Sequence, residues 1–117
     1  MSKEDRKIYL VSSKIDDMTV YKIGYTARSV ETRIKEFKTG NCSEFEIIHI
    51  YEPLDFPVTI ETSLHKHFYD KKINGEWFSL TEQDVESFLG KCEEIYERFK
   101  MLSNMNTYID DMNIKFK

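Results

Sequence analysis

The 117-residue sequence contains little cysteine, proline or glycine, with two Cys, two Pro and four Gly. So few turn-forming residues, together with 40% hydrophobic and 14% aromatic residues, exclude a low-complexity chain and favour one packed domain. Cys42 and Cys92 form no Cys-x-x-Cys pair, which argues against a zinc site, and we expect both to be reduced thiols. No segment approaches about 18 consecutive apolar residues, and residues 1–7 precede no apolar signal region, so we expect an intracellular protein outside the membrane.

The sequence also lacks an excess of positive charge, because its net charge is −4. This balance disfavours tight non-specific DNA binding, since affinity for phosphates comes largely from Lys and Arg. The acidic excess is concentrated after residue 81, and two denser basic regions precede it. They contain Lys22, Arg28, Arg33, Lys35 and Lys38, and Lys66, Lys71 and Lys72. A local basic face is therefore compatible with the composition.

Runs of β-branched and aromatic residues predict three strands. Residues 7–12 (KIYLVS) and 19–24 (TVYKIG) flank a polar turn and predict a hairpin. Residues 45–52 (FEIIHIYE), closed by Pro53, predict a third strand. We therefore expect an α+β fold with a small, mainly antiparallel three-stranded sheet flanked by helices. The Asn-Gly turn before residues 76–78 (EWF) predicts a further short extended segment that packs its rings on the core.

Apolar residues at helical spacing predict three helices. Ser29 is a favourable N-cap for a first helix over residues 30–38. Apolar residues every fourth position predict a second helix over residues 57–69, with Pro in its first turn. Thr81 and the acidic residue three positions later resemble a capping box before a long third helix over residues 85–102.

The length of the chain is sufficient for one core. We expect a single domain over residues 1–103, followed by a tail or helix extension over residues 104–117. Apolar side chains in this last segment could fold back on the core, dimerise or bind a partner protein.

Four residues, each on a different predicted strand or helix, supply the groups that phosphodiester hydrolysis requires: Tyr9, Lys22, Arg33 and Glu61. Hydrolysis needs an activated water, a donor for the developing phosphate charge and neutralisation of the leaving oxygen. An arginine can donate two hydrogen bonds to phosphate oxygens, and a single carboxylate suits Mg²⁺, which keeps most of its waters. Taken singly, each residue also has a structural explanation, as a packed strand tyrosine, a solvated cation or a glutamate favoured by the helix dipole.

In order and spacing, these residues resemble the GIY-YIG nuclease superfamily over about residues 7–89. The chain looks closest to a branch found in phages, large DNA viruses and bacteria. This likeness rests on a combination of motifs: the second motif Lys22-Ile23-Gly24, then Arg33, then Glu61 with His65 and Phe68, then residues 76–78 (EWF). The resemblance implies that Tyr9 activates the water or hydrogen-bonds to it. It also implies that Arg33 clamps the phosphate and that Glu61 binds Mg²⁺ or Mn²⁺.

Two departures from that family are visible. The first motif, Lys7-Ile8-Tyr9, lacks the family's glycine, and Lys22 occupies the position of its second tyrosine. Further substrate contacts are expected from Arg28, Lys35, His65 and Asn74.

The resemblance implies a metal-dependent endonuclease that hydrolyses DNA. One alternative is a nucleic-acid-binding module with weak or no catalysis, because Lys22 replaces a tyrosine. The other is a protein-interaction adaptor that docks through its acidic C-terminal helix. Salt-sensitive DNA binding would argue against the adaptor, since phosphate contacts release counterions.

Overall fold

The computed structural model describes residues 6–15, 17–37 and 44–111. Within them, strands and helices alternate in an α+β arrangement. The strands are β1 (Lys7–Ile15), β2 (Met18–Thr26), β3 (Phe45–Tyr51), β4 (Lys72–Asn74) and β5 (Trp77–Phe78). The helices are α1 (Val30–Phe37), α2 (Pro57–His67), α3 (Glu82–Glu86) and α4 (Phe88–Asp111).

The strands form one antiparallel sheet in the order β3-β1-β2-β5-β4. The predicted hairpin and the predicted strand over residues 45–52 are confirmed, but the expectation of three strands was wrong. Strands β4 and β5 have three and two residues, too few for an alternating pattern to be visible in the sequence. They meet at a turn in which Gly75 has φ 55°, a conformation that glycine adopts without strain.

The two faces of the sheet are covered by different helices, because successive side chains of a strand point to opposite sides. On one face Ile8 and Leu10 of β1 pack with buried residues of α2 and α4. On the other face Tyr9 and Val11 pack with Val30 of α1. Tyr9 and the α2 helix therefore belong to opposite faces of the sheet.

The helix predictions are largely confirmed. Helix α1 begins after Ser29, whose hydroxyl oxygen accepts a hydrogen bond from the Thr32 amide at 3.1 Å, and α2 begins at Pro57. The capping box is also confirmed at Thr81, which caps α3. The expectation of one continuous third helix was wrong, because the helix is interrupted at Ser87, between α3 and α4. The Ser87 hydroxyl donates to the Gln83 carbonyl at 2.9 Å, and such side-chain bonds compete with a regular helix.

The long helix is thus the fourth one. It runs past residue 103 to Asp111. None of the helices in the described ranges combines the length and apolar character required to cross a bilayer. Cys92 is a buried free thiol, and Cys42 lies outside the described residues.

Replacing Asp84 with asparagine is expected to destabilise the fold by about 1 kcal/mol near pH 7. The Asp84 carboxylate accepts hydrogen bonds from Lys71 Nζ at 2.6 Å and from the Thr81 amide at 2.9 Å. Burial alone would raise the pKa of Asp84, but these bonds outweigh it and lower the pKa below 3.8. Because the pKa of Asp84 is lower in the folded state, its ionised form stabilises the fold at pH values above the unfolded-state pKa. This stabilisation is lost as the pH falls through the folded-state pKa.

Urea unfolding of wild type and the Asp84→Asn variant at several pH values measures this effect. The difference should be largest at neutral pH and should shrink in acid. Glu82→Gln, which removes an exposed charge from the same helical turn, serves as the matched control. A pH-independent difference, or an equal loss in the control, would contradict the prediction.

Candidate active site

Three of the four predicted catalytic residues line one pocket of about 240 Å³. Tyr9 comes from the interior strand β1, Arg33 from α1 and Glu61 from α2. Two further residues complete the lining, namely Tyr25 and Glu76. The pocket therefore collects a phenol, a guanidinium and carboxylates from both sides of the sheet.

Tyr9 reaches the pocket by lying across Gly24, its partner residue on β2. A Cβ atom at position 24 would lie 2.6 Å from Tyr9 Cζ and closer still to Oη, so only glycine leaves room for this ring. The ring is buried, while its phenol oxygen accepts a hydrogen bond from Arg33. Burial raises the pKa of Tyr9 to about 12, against the lowering effect of Arg33. Tyr9 is consequently a neutral phenol at pH 7, suited to hydrogen-bond water or phosphate.

Arg33 is held at the pocket by its own helix. Its guanidinium lies 2.8 Å from the Glu36 carboxylate, one turn further along α1, and Glu36 also pairs with Arg28. Hydrogen bonds from these two arginines lower the pKa of Glu36, which therefore stays ionised. Arg28 is thus linked to the pocket through Glu36 and Arg33.

Glu61 is fixed by a histidine one turn along α2. His65 Nε2 lies 3.0 Å from Glu61 Oε2 and 2.8 Å from the Ile23 carbonyl oxygen, so this nitrogen carries a proton and donates. On β2, strand β5 pairs with Tyr21 and Lys22, and the carbonyl that His65 contacts belongs to the next residue, Ile23. Burial alone would lower the pKa of His65, but the bonds to Glu61 and Ile23 outweigh it and raise the pKa. His65 therefore orients the carboxylate and ties α2 to the KIG segment.

Lys22 does not line the pocket but reaches it through Glu76. Its Nζ atom lies 2.8 Å from Glu76 Oε1 and 5.4 Å from the centre of the Trp77 ring. The Lys22 side chain is only 13% exposed, whereas Glu76 is 41% exposed. The lysine in the KIG motif thus pairs with a carboxylate of the pocket lining.

Two predicted substrate contacts lie further away. Lys35 is exposed on α1, two positions after Arg33 and so on another side of that helix. Asn74 is exposed on β4, the outermost strand beyond β5. Neither residue is part of the lining of the described pocket.

Tyr25 and Glu76 were not among the sequence candidates. Glu76 enters the pocket because the Gly75 turn returns the chain beside β2, where the Ile23 amide donates to the Glu76 carbonyl at 3.2 Å. The adjacent Asn-Gly turn and EWF segment were visible signals for this approach. Tyr25 directly follows the motif glycine, but strand alternation alone gave it no role.

The residues of the pocket suit a hard cation with few protein ligands. Glu61 and Glu76 both contribute carboxylates, and the bond to His65 uses only one oxygen of Glu61. In the described ranges no three His, Cys, Asp or Glu residues are grouped to hold a metal. Mg²⁺ or Mn²⁺, bound through one or two carboxylates and water, fits this donor set.

A tyrosine, an arginine and two glutamates around one pocket are group types that can hydrogen-bond a phosphate and hold a cation. The chain belongs to the T5orf172 domain family, whose match covers residues 6–93. This domain is related to GIY-YIG and nuclease-like phage domains. No curated protein and no solved structure matches the chain significantly. The family indicates a nuclease-like or DNA-binding module.

Proposed function

We propose that this protein is a metal-dependent endonuclease of the GIY-YIG type that hydrolyses DNA phosphodiester bonds. The observation that carries the proposal is the convergence of Tyr9, Arg33 and Glu61 on one pocket. These residues come from different elements, so their meeting is a property of the fold rather than of local sequence. The similarity of the KIG motif to the phage and viral branch supports the same proposal.

Each residue has a task that its surroundings favour. Arg33 donates to the phosphate and neutralises charge that develops there. Tyr9, kept neutral by burial, accepts a hydrogen bond from the attacking water or donates one to a phosphate oxygen. Glu61, oriented by His65, would hold Mg²⁺ or Mn²⁺, which supplies water activation and charge neutralisation when bound.

One arrangement favours the second candidate, a nucleic-acid-binding module without catalysis. Lys22 occupies the position of a family tyrosine, and its ion pair with Glu76 neutralises one of the two pocket carboxylates. A neutralised carboxylate attracts a cation less strongly. The two candidates share DNA as their partner and differ only in cleavage.

Purified protein is expected to nick supercoiled plasmid DNA when Mg²⁺ or Mn²⁺ is present and to lose this activity in a chelator. Gel electrophoresis of the relaxed product over time gives the rate. DNA binding without cleavage, over a range of metals, pH values and DNA structures, would favour the binding module instead. A rate unaffected by chelation would contradict the metal-dependent mechanism.

A further inference from the structure

A second pocket of about 290 Å³ lies between α2 and α4, away from the candidate active site. Glu61 and His65 are four residues apart and share one side of α2. The α2 residues that line the second pocket lie on another side of the helix, because each residue of a helix is rotated by about 100° from the one before it. Its lining consists of Ser63, Lys66, His67, Lys91, Ile95 and Arg98. We call it the α2–α4 groove.

The α2–α4 groove is rich in cations although the whole chain is acidic. Lys66 comes from α2, and Lys91 and Arg98 lie two turns apart on the same side of α4. One acidic neighbour is Glu94, which lies 3.2 Å from Lys91 and is 62% exposed. Even if this pair is counted as neutral, Lys66 and Arg98 leave the lining of the groove positive. The buried Ile95 closes the floor.

The behaviour of His67 agrees with this charge distribution. Its ring packs edge-on against Phe68, with centroids 4.6 Å apart. Burial and the charge of Lys91 lower the pKa of His67, despite opposing effects of Asp84 and Glu94. The surroundings of His67 thus disfavour a positive charge on its ring, first through burial and then through Lys91.

We propose that the α2–α4 groove binds a backbone phosphate of the same DNA that enters the active site, an inference that depends on DNA being the substrate. A lysine and arginine set around a serine hydroxyl matches the acceptor oxygens of a phosphate group. Helix α2 is about 10 Å across, similar to the roughly 12 Å major groove of B-DNA. Phosphates on two sides of α2 can therefore belong to one duplex.

Fluorescence anisotropy of a labelled duplex in chelator tests the proposal without requiring cleavage. The variant replaces the three groove cations with glutamine, as Lys66→Gln, Lys91→Gln and Arg98→Gln together. The matched control makes the same change in net charge elsewhere, as Lys14→Gln, Lys72→Gln and Lys100→Gln. The groove variant should bind at least about tenfold more weakly, and its slope of log affinity against log salt should fall by about 0.9 for each phosphate that the protein no longer neutralises.

The outcomes separate this proposal from the proposed function. Specific weakening in the groove variant supports the groove even if wild type never cleaves DNA. Equal binding by wild type and the groove variant, equal weakening in the control or no DNA binding at all overturns it, even if wild type is a nuclease. Inorganic phosphate should also give a saturable change in the NMR signal of the His67 ring, whereas a response to phosphate but none to DNA would overturn the assignment to the backbone.

Discussion

Replacing Glu61 with glutamine is expected to lower the metal-dependent nicking rate by roughly two to three orders of magnitude, the loss seen when one group that stabilises transition-state charge is removed. Glutamine has nearly the same shape, and its amide oxygen can still accept the hydrogen bond from His65. The change therefore removes the charge that would hold the cation while keeping the hydrogen bond between His65 and residue 61. Plasmid nicking under identical purification and metal conditions measures the effect.

Two companion variants define what a loss at Glu61 means. Glu97→Gln removes an exposed charge from α4 outside the pocket and should leave the rate unchanged. His65→Gln should reduce activity less, by about 10-fold to 100-fold, because His65 orients the Glu61 carboxylate and does not itself bind the cation. Equal nicking by wild type and Glu61→Gln would indicate a contaminating nuclease or a different catalytic site.

The second large effect is expected at Gly24. A methyl group there would overlap the buried Tyr9 ring, 2.6 Å from Cζ. Overpacking of this kind costs about 1–3 kcal/mol, so Gly24→Ala should lower the urea midpoint of unfolding. It should also reduce nicking, because the ring must shift away from Arg33.

Two comparisons isolate the overlap from other effects of glycine replacement. Gly90→Ala adds a methyl group with no neighbour within 4 Å in α4 and should stabilise the protein by about 0.5–1 kcal/mol. In a Tyr9→Leu background, which lacks the overlapping ring atoms, Gly24→Ala should cost much less. The same cost in both backgrounds would show that the Tyr9 ring is not the cause.

Much of this arrangement could be predicted because the responsible signals are local. The hairpin, α1 and α2 follow from strand alternation, a serine cap and apolar spacing. The order of Tyr9, Arg33 and Glu61 along the chain indicated their chemistry before their contacts were known. Their roles in catalysis remain predictions, since only their proximity is shown.

What the sequence did not reveal depends on contacts between distant residues. Strand β5 has two residues and exists because it pairs with β2, so the approach of Glu76 to Lys22 required the sheet register. The break at Ser87 is an exception, because its hydroxyl bonds locally to the Gln83 carbonyl in a segment with a good helical pattern. The α2–α4 groove joins residues from two helices that are far apart in the chain, none of which stands out alone.

Helix α4, which completes the core, is synthesised after all the residues of the active-site pocket. Every residue of the active-site pocket precedes residue 77, but Phe88, Cys92 and Ile95 fill the core beneath α2. Synthesis proceeds from the N-terminus, so the pocket residues leave the ribosome before the helix that buries their supporting face. We therefore expect an incomplete chain to contain the whole catalytic set without holding it in place, so that activity appears only when α4 has docked.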